Sequence, residues 1–127
     1  MNALEFRFAF YARDFEKSVR FYQETLELQF MRGWDREDGK GALLSAGCTA
    51  VVEIYGAANN QTYDGPGPVA INLAFRLEDA TAVDQFYQKL AAKGTDKIRA
   101  PKNYHWGHRS FRMYDPDDIP IYVYCEL

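Results

Sequence analysis

The chain has 127 residues and a net charge of −3 with no run of like charges, which suits one domain spanning 1–127 and argues against a nucleic-acid partner. Hydrophobic residues make up 47% and charged residues 26%, enough for a core without staples, and no apolar stretch is long enough to span a bilayer. Met1-Asn2-Ala3-Leu4-Glu5 has neither the basic nor the apolar region of a signal peptide, and Cys48 and Cys125 form no CxxC or disulfide framework, so the expected location is a reducing cytoplasm with both thiols acting as small hydrophobes.

An internal repeat organises the chain. At an offset of 65, Ala9, Phe10, Asp14, Phe21, Tyr22 and Gln23 fall on Ala74, Phe75, Asp79, Phe86, Tyr87 and Gln88, six identities without a gap. Each half opens on a strand: Leu4, Phe6, Phe8 and Phe10 alternate with Glu5, Arg7, Ala9 and Tyr11, and Val69, Ile71, Leu73, Phe75 and Leu77 alternate with Ala70, Asn72, Ala74 and Arg76. Asp14 and Asp79 stand at N-cap positions. Behind them, Phe15, Val19, Tyr22 and Leu26 make one helical stripe, and Val83, Phe86/Tyr87 and Leu90 another, with Gly94 at the end of the second helix.

Three strands follow each helix. In the first half they are expected at 28–34, 41–46 and 49–55, with turns at Gly39 and Gly47-Cys48; in the second at 96–100, 108–114 and 119–125, with Asp115-Pro116-Asp117-Asp118 as the last turn. The composition of 57–67 is that of a linker between module 1 (1–56) and module 2 (68–127). The fold class is α+β: two tandem βαβββ modules forming curved mixed sheets around a cleft. Each helix covers the apolar face of its sheet. The other face, with Arg7, Ala9, Tyr11 and Asn72, Ala74, Arg76, is left to line the cleft, where small alanines leave room.

This duplication, over nearly the whole chain, resembles the vicinal-oxygen-chelate superfamily of glyoxalases, bleomycin-resistance proteins and extradiol dioxygenases. The segment from Phe10 to Tyr22 is similar to the family's opening strand and helix. The segment Trp106-Gly-His-Arg-Ser-Phe-Arg-Met-Tyr-Asp-Pro-Asp117 is similar to a motif of the metal-free bleomycin-resistance-like branch, departing at Asp118, where the family carries Gly. The resemblance implies homodimers that hold a drug in a groove without altering it. It also places the metal ligands of metal-dependent members at Arg7, Glu53, Asn72 and Tyr122. Arginine stays protonated and cannot ligate, asparagine is a weak neutral ligand, and one carboxylate does not hold a divalent ion. No metal and no cofactor is therefore expected. Arg7 and Glu53 are instead expected to pair, at a cost of roughly 3–5 kcal/mol for losing one partner if burial is deep; the alternative has Arg7 reaching solvent beside an exposed Glu53.

The chain is 16% aromatic. Trp34, Tyr55, Tyr63, Tyr104, Trp106, Tyr114, Tyr122 and Tyr124 lie on or near the cleft strands, where flat rings suit a planar ligand, core packing or a dimer contact. His105-x-x-His108 on a strand and turn does not aim both rings at one ion. His108 can move a proton as general acid or base, or bond to backbone in a loop. Arg109 and Arg112 can meet an anionic group or face solvent. The site is thus read as Arg7, Glu53, Asn72, Tyr122, Trp106, His108, Trp34, Tyr55 and Tyr104, with Glu53 and His108 as candidate bases. The expected partners are a small aromatic ligand and a second copy of the chain, with neither nucleic acid nor membrane. A lyase, isomerase or dioxygenase using Glu53 or His108 is the alternative to a binding protein.

Overall fold

The computed structural model describes residue 2, residues 6–58 and residues 71–127. The chain divides into two compact units, Met1–Pro68 and Val69–Leu127. The expected strand residues Leu4, Glu5, Val69 and Ala70, as well as Tyr63 and linker residues 59–67, lie outside the described residues.

The first unit runs β1 (Phe6–Tyr11), α1 (Phe15–Arg20), a π-helical turn (Phe21–Thr25), β2 (Gln29–Arg36), β3 (Gly39–Ser45) and β4 (Ala50–Gly56). The second runs β5 (Leu73–Arg76), α2 (Ala80–Ala92), β6 (Lys102–Tyr104), β7 (His108–Tyr114) and β8 (Pro120–Glu126). Each sheet has four strands, in the orders β1-β4-β3-β2 and β5-β8-β7-β6. The first and last strands of each unit pair in parallel and the remaining neighbours pair antiparallel. This is βαβββ twice, as the repeat implies. The registers Ala9↔Glu53 and Ala74↔Tyr122 make Glu53 and Tyr122 equivalent positions of the two sheets.

Both helices start where the aspartates place them. Asp14 accepts from the Lys17 amide at 3.0 Å and Asp79 from the Ala82 amide at 2.8 Å, each satisfying a donor of the first turn. The second helix ends in a Schellman arrangement: Gly94, at φ +74, donates to the Ala91 carbonyl, and Thr95 donates to that of Leu90. Its stripe buries Val83 and Leu90 completely against β7 and β8, about 1.5–3 kcal/mol each. The first helix departs from a continuous α-helix. After Arg20 it widens, with the Leu26 amide donating to the Phe21 carbonyl five residues back; Tyr22 within that wide turn and Leu26 at its end are both buried.

Two strand expectations need correction. The segment 96–100 is not a strand. Asp96 captures the Lys97 amide at 2.9 Å, Lys97 takes a positive φ of 53°, and Pro101 has no amide to donate, so β6 forms only from Lys102 onward. One ladder-like bond survives, from the Arg99 amide to the Arg112 carbonyl at 3.0 Å. Asn72 is exposed on the approach to β5 rather than in it.

The turn before β8 is built on Asp115, which is buried and whose Oδ1 accepts from the Asp117 and Ile119 amides, both at 2.8 Å. Asp118 occupies the left-handed region at φ +61, the conformation for which glycine is the usual residue. Of the thiols, Cys125 is a fully buried core residue as expected, whereas Cys48 is exposed on the tip of the β3–β4 turn and packs as no hydrophobe.

Candidate functional site

Strand alternation gives each sheet one face under its helix and a second face, which in the second unit is open and in the first buries Leu43 and Val51 beside Glu53. In the first unit, Phe10, Val52, Ile54, Ala42 and Leu44 turn towards the helix side, with Phe10 against Tyr22 at 5.9 Å between ring centroids. The register then sets Arg7, Ala9 and Tyr11 beside Glu53 and Tyr55 on the second face. Arg7 Nη1 reaches Glu53 Oε2 at 3.3 Å. The Tyr55 hydroxyl also donates to Glu53; burial first, then this bond and the carboxylate's charge, push the Tyr55 phenol above its ordinary 10.0. The Arg7 side chain keeps 37% exposure against 11% for Glu53, so the pair is shallower than a buried one and the larger cost expected from sequence does not apply.

Aromatic rings continue this face. Tyr11 lies 5.0 Å from Tyr55, Trp34 meets Tyr55 edge-on at 6.4 Å, and the Arg32 and Arg36 guanidinium groups lie 5.4 and 5.9 Å from the Trp34 ring. Trp34 lies flat over Gly41, its cross-strand partner, where a Cβ would fall inside the indole.

The second unit carries a pocket of about 650 Å³ on its open face. Its floor comes from β7 and β8 through His108, Ser110, Arg112, Tyr122 and Tyr124; Ala74 of β5, small as expected, leaves it open. The wall comes from β6 and its flanks through Arg99, Lys102, Tyr104 and Trp106. The rings are stacked in pairs: Tyr104 on Trp106 at 4.3 Å and 25°, His108 on Tyr124 at 4.6 Å and 28°. Lys102 stands over the Tyr104 ring at 4.7 Å. Arg112 hydrogen-bonds the Tyr122 hydroxyl, its cross-strand neighbour; that bond raises the guanidinium further above its ordinary value, so it is a permanent cation.

The structure thus gathers Tyr104, Trp106, His108 and Tyr122 into one pocket, and Arg7, Glu53, Tyr55 and Trp34 onto the second face of the other unit's sheet. Asn72 joins neither group through any described contact. The two arginines of β7 part company. Arg109 turns to the helix side, bonding Asp84 at 2.8 Å and Asn103 at 3.0 Å, while Arg112 enters the pocket. Arg99, Lys102, Ser110 and Ala100 were not legible as site residues. The alternation His108-Ser110-Arg112 against Tyr122-Tyr124 was the available signal for the floor, but the wall depends on where 96–101 travels.

The residues at the metal-ligand positions do not fit a metal. Arg7 is spent on Glu53, Glu53 accepts from two donors, Asn72 is exposed outside the strand, and Tyr122 is bonded to Arg112. Among the described residues no three His, Cys, Asp or Glu side chains come together as a ligand set. His105 and His108 diverge: the first is edge-on to Trp106 at 4.9 Å, and the second lies against Tyr124. Among the described residues no helix is long and apolar enough to cross a membrane.

Comparison with known proteins agrees with this architecture. A protein of Bacillus subtilis (strain 168), "Uncharacterized protein YraH", is 30% identical over 123 residues, covering 90% of this chain and 91% of its own. Two solved structures share the fold. TnmS3, an antibiotic binding protein from Streptomyces sp. CB03234, superposes with a TM-score of 0.76 at 21% identity, over 100% of this chain and 98% of that one. Lactoylglutathione lyase from Agrobacterium tumefaciens does so with a TM-score of 0.73 at 17% identity, over 98% of this chain and 94% of that one. Residues 6–123 match the Glyoxalase family pattern. The chain belongs to the Glyoxalase/Bleomycin resistance protein/Dioxygenase superfamily.

Proposed function

We propose that this chain is a metal-free binding protein that holds a planar aromatic small molecule on the open face of its second unit and releases it unaltered. The observation that carries this reading is the pocket of about 650 Å³ lined by Tyr104, Trp106, His108, Tyr122 and Tyr124, a size and lining suited to one small ligand. Two further observations support it. The family's metal positions hold a single carboxylate, already engaged by Arg7 and Tyr55. A protein of the same fold is an antibiotic binding protein. Sequestration of a toxic aromatic compound by a cytoplasmic homodimer is the role such a pocket would serve.

The test begins with elemental analysis of protein purified without chelators or a histidine tag, followed by readdition of Mn²⁺, Fe²⁺, Ni²⁺ and Zn²⁺. No bound metal and no thermal stabilisation by any ion is the expected result; stoichiometric metal overturns the reading. Titration with planar aromatic compounds, followed by Trp106 fluorescence and by mass spectrometry of the recovered compound, then separates binding from turnover.

A second reading has its own observation. His108 lines the pocket with its ring against Tyr124, whereas Glu53 is held by two donors, so a metal-independent lyase or isomerase would use His108 as its base. Recovery of a chemically changed compound, abolished in His108→Gln, favours that reading over sequestration.

A further inference from the structure

We infer that the molecule held on the open face of the second unit carries an anionic group on its ring, a carboxylate, sulfonate or phenolate, seated against Arg112 with Arg99 and Lys102 beside it. This rests on the reading that the face binds planar aromatic molecules, and it names their charge.

Three cations line the pocket and no carboxylate does, although the chain as a whole carries a net charge of −3. Five cations outside the pocket have an acid partner: Arg7 with Glu53, Lys40 with Glu16, Arg76 with Glu126, Lys97 with Asp118 and Arg109 with Asp84. Among the described residues Arg99, Lys102 and Arg112 have no such partner. Glu126 follows Tyr122 and Tyr124 on the same face of β8, but Arg76 holds it at 2.9 Å.

Arg112 is the centre of this group. Its guanidinium bonds the Tyr122 hydroxyl, and its Cζ lies 5.3 Å from the centroid of the Tyr114 ring. Its Nε is buried and, among the described residues, has no hydrogen-bond partner. A buried donor left unpaired costs free energy, and a small shift of the Arg112 side chain towards the pocket would let a ligand acceptor recover it. A planar guanidinium with a free N–H edge matches a carboxylate or sulfonate better than a neutral acceptor, because the bond gains charge assistance. The Arg99 amide bond to the Arg112 carbonyl at 3.0 Å anchors the second cation beside the first, and Lys102 is set over Tyr104 by ring contact rather than by an acid. The stacked pairs Tyr104–Trp106 and His108–Tyr124 supply flat surfaces for the ring that bears the anion.

The experiment compares three probes of one shape by calorimetry and Trp fluorescence: 2-naphthoate, its neutral isostere 2-naphthamide, and the 2-naphthylmethylammonium ion. Naphthoate is expected to bind at least about tenfold more tightly than naphthamide at low salt, with the gap narrowing at about 0.15 M salt. Arg112→Gln should remove that preference by weakening naphthoate far more than naphthamide. Should Arg112→Gln fail to fold, the rim variants Arg99→Gln and Lys102→Gln, at exposed residues, should each narrow the gap. Equal binding of naphthoate and naphthamide, a preference for the ammonium ion, or a preference that survives both rim variants together with Arg112→Gln overturns the anion and leaves aromatic binding standing. Failure of all three probes to bind overturns both.

Discussion

The Arg7 guanidinium and the Glu53 carboxylate meet at 3.3 Å across neighbouring parallel strands, at a position where metal-dependent relatives are expected to hold an ion. The Tyr55 hydroxyl donates to the same carboxylate. The negative charge of Glu53 is therefore balanced by a fixed cation and a fixed dipole from its own sheet.

Because Arg7 keeps 37% side-chain exposure, solvent screens the pair. A double-mutant cycle with Arg7→Met and Glu53→Gln should give a coupling of about 0.5–1 kcal/mol in urea unfolding. A coupling near zero would show Arg7 held by other contacts.

Tyr55 should give the chain an alkaline signature. A phenol whose folded pKa is raised keeps its contribution below the unfolded value of about 10 and loses it as pH rises through the folded value. Tyr55→Phe should be less stable than the parent by about 1 kcal/mol at pH 8, through the lost bond to Glu53, and the difference should close above about pH 10. Parallel stability curves for the two proteins from pH 8 to 11 would contradict this.

Gly41 is required by Trp34. Any Cβ at Gly41 meets the indole ring, so Gly41→Ala should displace Trp34, weaken its edge contact with Tyr55 and cost about 1–3 kcal/mol. Trp emission and thermal unfolding both report the change. Combining Gly41→Ala with Trp34→Ala should cost less than the sum of the two, since the clash disappears with the ring.

The turn before β8 depends on one carboxylate. Asp115→Ala strands the Asp117 and Ile119 amides and should destabilise by about 2 kcal/mol, whereas Asp115→Asn should avoid much of that loss because an amide oxygen can still accept. Asp118→Gly should be neutral or stabilising by up to about 1 kcal/mol, since glycine takes φ +61 without steric cost and the exposed Lys97–Asp118 contact contributes little. Urea titrations of the three variants check both statements.

Local signals were enough for the modules. The repeat, the period-2 alternation, the two aspartate caps and Gly94 all act within a few residues, so they could be read directly from the order of side chains. Alternation also gave the two faces of the opening strands β1 and β5, and the family resemblance set Arg7 beside Glu53. What lay beyond sequence was whatever depends on a path through space. The segment 96–101 leaves the ladder because Lys97 takes a left-handed turn and Pro101 cannot donate, and this carries Arg99 and Lys102 to the pocket wall. The separation of Arg109 from Arg112, one to Asp84 and the other to the pocket, follows alternation, but its meaning required knowing that α2 lies on one side and open space on the other. Sequence alone therefore determined the βαβββ pattern of the two modules, the caps and the residue types at the family's metal positions, because these rest on chemistry carried by single residues and their neighbours. Tertiary structure decided which cations are matched and which are left facing a cavity, because charge pairing across 25 to 50 residues of chain is set by strand register and packing.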